Sequence, residues 1–221
     1  MRHPGRLGVV GGTFDPIHWG HLDAAVAAAS QLNLTQLLFV PSHVPPHRAA
    51  PPRASAFHRF AMTALAVQHI ATAVVSDVEV LRPGPSFSAE TLSALHATGW
   101  RASQIFFIIG SDAFAEIATW RSYPALLDMA HFVVISRAGA TTLGEGAMQP
   151  LIVARLSTPD NVMASPATTH VIPVTVQTRP VSSTAVRERI AAGMAITELV
   201  PPSVDTYIAR HELYRPGWNL A

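Results

Sequence analysis

A chain of 221 residues, 49% hydrophobic and 13% charged, is long enough to bury a full core and too apolar to be disordered. Fifteen basic side chains against fourteen acidic ones leave a formal charge of +1 with histidines neutral, which excludes a global field drawing the chain to nucleic acid or an anionic membrane. The lack of cysteine excludes disulfides, thiolate zinc sites and cysteine nucleophiles, and suits a reducing cytoplasm.

In chain order, "RLGVVGG" (6–12) reads as a short buried strand ending in glycines, too brief and interrupted for a signal peptide. No apolar run approaches the ~18 residues of a membrane span. "HLDAAVAAASQLNL" (21–34) reads as an alanine-rich helix closing near Asn33, and "QLLFVP" (36–41) as a second strand stopped by Pro41. "SHVPPHRAAPPR" (42–53) carries four prolines and is predicted to be a constrained loop. "ASAFHRFAMTALAVQHI" (54–70) has helical apolar spacing through Phe57, Phe60, Ala61, Ala64, Leu65 and Ile70.

"AVVSDVEVL" (73–81) looks like strand, and "RPGPSFSAETLSALHATG" (82–99) like loop into a helix closed by Gly99. "QIFFIIGSD" (104–112), continuous in branched and aromatic residues, is the strongest central strand. A helix to about Trp120 and another to Met129 are expected next, then the strand "HFVVISR" (131–137). Residues 138–169, rich in Gly, Thr, Ser, Pro and Ala, read as an irregular segment or insertion. "THVIPVTV" (169–176) is a final strand, "SSTAVRERIAAG" (182–193) a capped helix ending at Gly193, and "PPSVDTYIARHELY" (201–214) a terminal helix. This alternation predicts one α/β domain over 1–221: a Rossmann-like open parallel sheet with helices on both faces and a small C-terminal helical part over 180–221.

Ligands of such sheets sit beyond the carboxyl ends of the strands. At one such end stands "GGTFDPIHWGHL" (11–22). Gly11 and Gly12 let the backbone approach a bulky anion, and a helix start offers unpaired N–H groups and partial positive charge. His18 and His21, three apart across that start, can face the same place. The Walker and dinucleotide fingerprints are both absent. A histidine metal site and plain packing remain open readings, although no third ligand follows by spacing.

"VSSTAVRERI" (181–190) fails as a capping box, since Ser182, Ser183 and Thr184 are followed three residues on by Ala185, Val186 and Arg187. A cation in a first helical turn is disfavoured by the helix dipole. A bound anion, gripped by residues 182–184 and forked by Arg187, resolves that conflict; an ordinary serine cap with an exposed arginine is the other reading.

"GGTFDPIHWGHL" resembles the signature of the nucleotidyltransferases with a His-x-Gly-His motif, most specifically the bacterial nicotinate-nucleotide adenylyltransferases. The resemblance implies transfer of adenylyl from ATP to nicotinate mononucleotide, giving nicotinate adenine dinucleotide and pyrophosphate. It implies catalytic roles for His18, His21 and Arg187. It implies ATP contacts from Gly11, Gly12, Thr13, Phe14, Gly110, Asp112, Ser182, Ser183 and Thr184, with Val186 replacing a usual isoleucine. On local grounds Asp112 is either a ribose acceptor or an N-cap, and Trp120 a core residue; the family stacks that tryptophan on the pyridine ring.

Mononucleotide contacts are implied for Asp15, His47, Arg48, Ser86, Phe87, Ser88, Trp120 and Arg137. Arg48 stands where lysine is usual, and Phe87, Ser88 and Glu90 depart from a Tyr-Thr-x-Asp pattern. Mg²⁺ is expected to arrive on the triphosphate, with no resident metal, no covalent intermediate, and no nucleic-acid or membrane partner. A homo-oligomer is compatible with all of this. Preference for nicotinamide mononucleotide, and a non-catalytic nucleotide-binding module, stay open as alternatives.

Overall fold

The branched and aromatic runs form the strands. A computed structural model of the protein describes residues 5–46, 50–137, 149–164 and 168–217. The strands are β1 (Leu7–Gly12), β2 (Gln36–Pro41), β3 (Ala73–Val75), β4 (Ile105–Gly110), β5 (His131–Arg137) and β6 (Val171–Val176), in one sheet of order β3-β2-β1-β4-β5-β6. The pairs β1–β4, β4–β5 and β5–β6 are parallel, with Val9 opposite Phe107, Phe107 opposite Phe132, and Phe132 opposite Val171. This is the expected Rossmann-like α/β sheet, and its order reverses between β1 and β4, the switch point beyond which sheets of this kind take their ligands.

The helices are α1 (Trp19–Gln31), α2 (Ala56–Val67), α3 (Ser88–Ala97), α4 (Ser111–Ala115), α5 (Pro150–Val153), α6 (Pro159–Ala164), α7 (Ser183–Ala191) and α8 (Pro202–Arg210). Asn33, Gly99 and Gly193 end their helices with φ of 49°, 102° and 69°, the left-handed stop that Gly or Asn supplies. Among the described residues no helix is long and apolar enough to cross a membrane.

The chain divides into two compact units. One comprises Met1–Gly11, Ala24–Leu38 and Phe87–Gln177; the other comprises Gly12–Asp23, Phe39–Ser86 and Thr178–Ala221. In the first, Leu7, Val9, Phe106, Phe132, Val133 and Ile172 are fully buried, each contributing about 1.5–3 kcal/mol for a large side chain. The same core encloses a polar ring, His131. Its Nδ1 accepts the N–H of His170 at 3.1 Å and its Nε2 donates to the carbonyl of Ser103 at 3.3 Å. Phe106 stacks on it at 4.6 Å and His170 lies at 5.7 Å.

Four sequence expectations are corrected. The apolar stripe of α2 is not its buried face: Phe57 is 68% exposed, while Ala56, Arg59, Met62, Thr63, Ala66 and Val67 are inside. Hydrophobic spacing misses an arginine whose Nε, Nη1 and Nη2 each donate to a backbone carbonyl. The strand expected over 73–81 ends at Val75, because Ser76 Oγ takes the N–H of Val78 and turn bonds follow from Leu81 to Asp77 and Arg82 to Glu79. The two helices expected to Trp120 and Met129 shrink to α4 and two short 3₁₀ turns, Ile117–Thr119 and Ala125–Asp128, since Ser122 adopts φ 68° and Pro124 follows. The segment expected to be irregular contains α5 and α6; its residues 138–148 and 165–167 lie outside the described ones.

Candidate active site

β1 delivers the chain into a tight turn, and Gly12 is the residue that the turn can accommodate. A Cβ there would come 2.6 Å from the Phe14 ring. Phe14 itself has φ 51°, an unusual conformation for a bulky residue. Packing compensates for it: the ring is 2% exposed, meets His21 edge-on at 5.1 Å and lies 6.1 Å from Phe39.

His18 and His21 flank the start of α1, and the three-residue spacing stacks their rings at 3.7 Å. The backbone N–H of His18 donates to Nδ1 of His21 at 3.3 Å, so the neutral His21 ring carries its proton on Nε2 as a donor. Gly20 between them sits in tight space: a Cβ would lie 3.2 Å from the His18 ring and 3.3 Å from the carbonyl of Arg179, so those groups would have to give. Arg179 closes this side. Its guanidinium forks onto Asp23 at 2.8 and 3.0 Å and lies 4.0 Å over the Trp19 ring. Burial raises the Asp23 pKa, but the Arg179 hydrogen bonds outweigh that and hold the carboxyl below its ordinary value.

α7 contributes the second half. Ser182 is its N-cap, with Oγ accepting the N–H of Ala185 at 3.1 Å. The next residues reach back to the turn: Ser183 Oγ donates to the Pro16 carbonyl at 2.9 Å, and Arg187 Nη1 donates to the Asp15 carbonyl at 2.6 Å. Arg187 Nη2 donates to Thr184 Oγ1 at 3.1 Å. The serine–arginine segment is thus brought onto the glycine–histidine turn, from 167 and 172 residues away.

The carboxylate of Asp15 points into the protein, 2% exposed. Its Oδ2 accepts the N–H of Arg53 at 2.7 Å, and its Oδ1 accepts the N–H of Ala54 at 3.0 Å and the hydroxyl of Tyr214 at 2.9 Å. Burial pushes the Tyr214 phenol well above its ordinary pKa, as do the Asp15 charge and hydrogen bond, so the hydroxyl stays a donor. Arg59, 1% exposed, donates to the carbonyls of Thr13, His43 and Ala54. Sequence reasoning missed Tyr214 and Arg59. No local signal marks Tyr214, and the only one for Arg59 is an arginine set among the apolar residues of α2.

Other expected site residues have their own settings. Gly11 approaches the Phe107 ring, Gly110 closes β4 and precedes α4, and Asp112 is exposed in the first turn of α4, so it is not the N-cap. Phe87 precedes α3 with the Arg121 guanidinium 4.7 Å over its ring, and Arg121 pairs with Glu90 at 2.7 Å; Ser88 opens α3. Trp120 is half-buried with its edge on Phe107 at 6.3 Å. Ser86 Oγ accepts the N–H of His43 at 2.8 Å. Arg137 ends β5, but its side chain, like His47 and Arg48, lies outside what is described. Among the described residues no three or more His, Asp or Glu side chains converge as a metal site.

Residues 9–189 match the cytidylyltransferase-like family. Proteins named "Probable nicotinate-nucleotide adenylyltransferase" from Pseudomonas fluorescens and Thermoanaerobacter sp. are 38% and 37% identical over 210 residues, covering 95% of this chain and 97% and 94% of theirs. The structure of Plasmodium falciparum nicotinic acid mononucleotide adenylyltransferase complexed with NaAD aligns with a TM-score of 0.67 at 15% identity, over 95% of this chain and 97% of that one, which shows a common fold. By motif, by fold and by relatedness along nearly its whole length, this chain belongs to the cytidylyltransferase-like family and, within it, to the nicotinate-nucleotide adenylyltransferases.

Proposed function

We propose that the protein transfers the adenylyl group of ATP to nicotinate mononucleotide, releasing pyrophosphate and forming nicotinate adenine dinucleotide, a cytoplasmic step of NAD biosynthesis. One observation carries the reading: Ser183 and Arg187 of α7 are hydrogen-bonded to the turn that presents His18 and His21, so imidazole, hydroxyl and guanidinium donors form one cluster.

A phosphate oxygen of the mononucleotide attacks the α-phosphorus of ATP while the bond to the bridging oxygen of the β-phosphate breaks, and pyrophosphate departs with that electron pair. The attacking monoester is ionised near neutral pH, so no strong general base is needed and no enzyme nucleophile takes part. Catalysis is alignment plus charge stabilisation on the phosphoryl oxygens. His18 and His21 donate from the start of α1, and Arg187 with Ser182, Ser183 and Thr184 steadies the phosphates from α7. Gly11 to Phe14 shape the approach, and Gly110 and Asp112 receive the nucleoside. Mg²⁺ enters as part of the substrate, on the triphosphate. Ser86, Phe87, Ser88, Trp120, His47, Arg48 and Arg137 meet the mononucleotide, while Asp15 acts from behind through its buried bonds.

Chromatographic product analysis with ATP and each mononucleotide tests the reading, with pyrophosphate release and the nicotinate product expected. His21→Ala is expected to lower kcat by about 10²–10³ with the circular dichroism unchanged. A wild-type protein that binds ATP without releasing pyrophosphate, or an alanine variant with near-normal turnover, overturns it.

A further inference from the structure

Arg59 lies at the end of the first turn of α2, where an arginine ordinarily faces water, yet it is 1% exposed. A buried guanidinium persists only with its N–H groups matched. Here Nη1 donates to Thr13 O at 2.7 Å, Nη2 to His43 O at 2.9 Å and Nε to Ala54 O at 3.1 Å. The three acceptors belong to the glycine–histidine turn and to the two ends of the proline-rich loop. A planar fork serves three separately directed carbonyls; the point charge of lysine does not.

Asp15 answers from the turn. Its carboxylate takes the N–H groups of Arg53 and Ala54 at the loop's far end and the hydroxyl of Tyr214, 199 residues away. The near end is continued by His43, whose N–H donates to Ser86 Oγ at 2.8 Å and whose Nδ1 lies 2.9 Å from Arg82 O, while the N–H of Ser86 donates to Val44 O at 2.8 Å. Both ends of the loop are therefore fixed to the turn through buried charges, and the second link is completed only when the C-terminal segment carrying Tyr214 is docked.

We propose that Arg59 and Tyr214 are positioning residues for the mononucleotide: they set the two ends of the proline-rich loop, and through His43 also Ser86, against the glycine–histidine turn, so that mononucleotide affinity depends on the docked C-terminal segment. This rests on the adenylyl-transfer reading, which gives Ser86 to the mononucleotide.

Tyr214→Phe removes one hydroxyl at constant shape and leaves Asp15 Oδ1 its bond from Ala54. Steady-state kinetics on the full chain should show KM for nicotinate mononucleotide raised about five- to ten-fold, with KM for ATP within about two-fold. Arg59→Met should raise the same KM further and Arg59→Lys only partly restore it; if Arg59→Met does not fold, Tyr214→Phe carries the test. Equal shifts in both KM values, or a lowered melting temperature with both unchanged, overturn the inference and leave the pair merely structural. Wild-type turnover in the same assay separates the cases: no pyrophosphate from the wild type defeats the functional reading, whereas normal wild-type turnover without a selective effect in Tyr214→Phe defeats the positioning role alone.

Discussion

Replacing His131 by phenylalanine should flatten the acid side of the protein's stability curve. The neutral ring suits its place: Nδ1 accepts from His170 and Nε2 donates to Ser103, between two aromatic faces. Protonation puts a hydrogen on Nδ1 against the His170 N–H and a charge in the core. Burial pushes the His131 pKa down from 6.5 to about 4; the Ser103 carbonyl opposes this, and the His170 and Arg6 charges assist it. The unfolded chain therefore takes up this proton first as pH falls. The folded state keeps its full advantage above the unfolded value of 6.5 and loses it progressively down to about 4. At 1.36 kcal/mol per pH unit, that interval amounts to about 3 kcal/mol.

Urea unfolding of wild type and His131→Phe at half-unit steps from pH 7 to 4 measures it, because other titrating groups cancel in the difference. At pH 7 the variant should be about 2–4 kcal/mol less stable, having left a buried carbonyl and N–H without the ring. Near pH 4 the two should approach one another, the wild type having lost about 3 kcal/mol more over the range. Parallel curves, or an NMR titration of His131 at its ordinary value, would refute the reasoning.

Ser182→Ala should destabilise the fold by about 1 kcal/mol, read by thermal melting, since the first turn of α7 loses its cap. Arg179→Met should cost about 0.5–1 kcal/mol in low salt, a gap that narrows in 1 M salt because the pair with Asp23 is partly exposed. The depressed Asp23 pKa means its share is present above the ordinary carboxyl value of 3.8 and fades as pH falls below it, so the variant and wild type should converge in acid. Catalysis by His21 and the split in KM at Tyr214 complete the set.

What could be read from the sequence was local. The glycines before His18, the five buried residues of β4, the Ser182 cap and the left-handed stops at Gly99 and Gly193 each depend on neighbours within a few positions. What could not be read depends on distant partners. Arg59 is buried by a carbonyl 46 residues away, and Tyr214 is defined by a carboxylate 199 residues away. Arg187 reads in the sequence as a candidate anion fork or an exposed arginine, and its bond to the Asp15 carbonyl appears only once α7 has folded back. The shortening of β3 turns on the hydroxyl of Ser76, which competes with a ladder that hydrophobic spacing alone favours.

The turn has one more consequence. The carbonyls of Gly12, Thr13, Asp15, Pro16 and His18 are all claimed by donors from within the protein: Ser42 N–H, Arg59, Arg187, Ser183 and His21 N–H. Each lone pair so occupied is one that cannot repel an approaching polyanion. Attraction at such a place comes as much from muting the backbone's own negative ends as from supplying positive ones, and a residue that never touches the nucleotide can contribute to it.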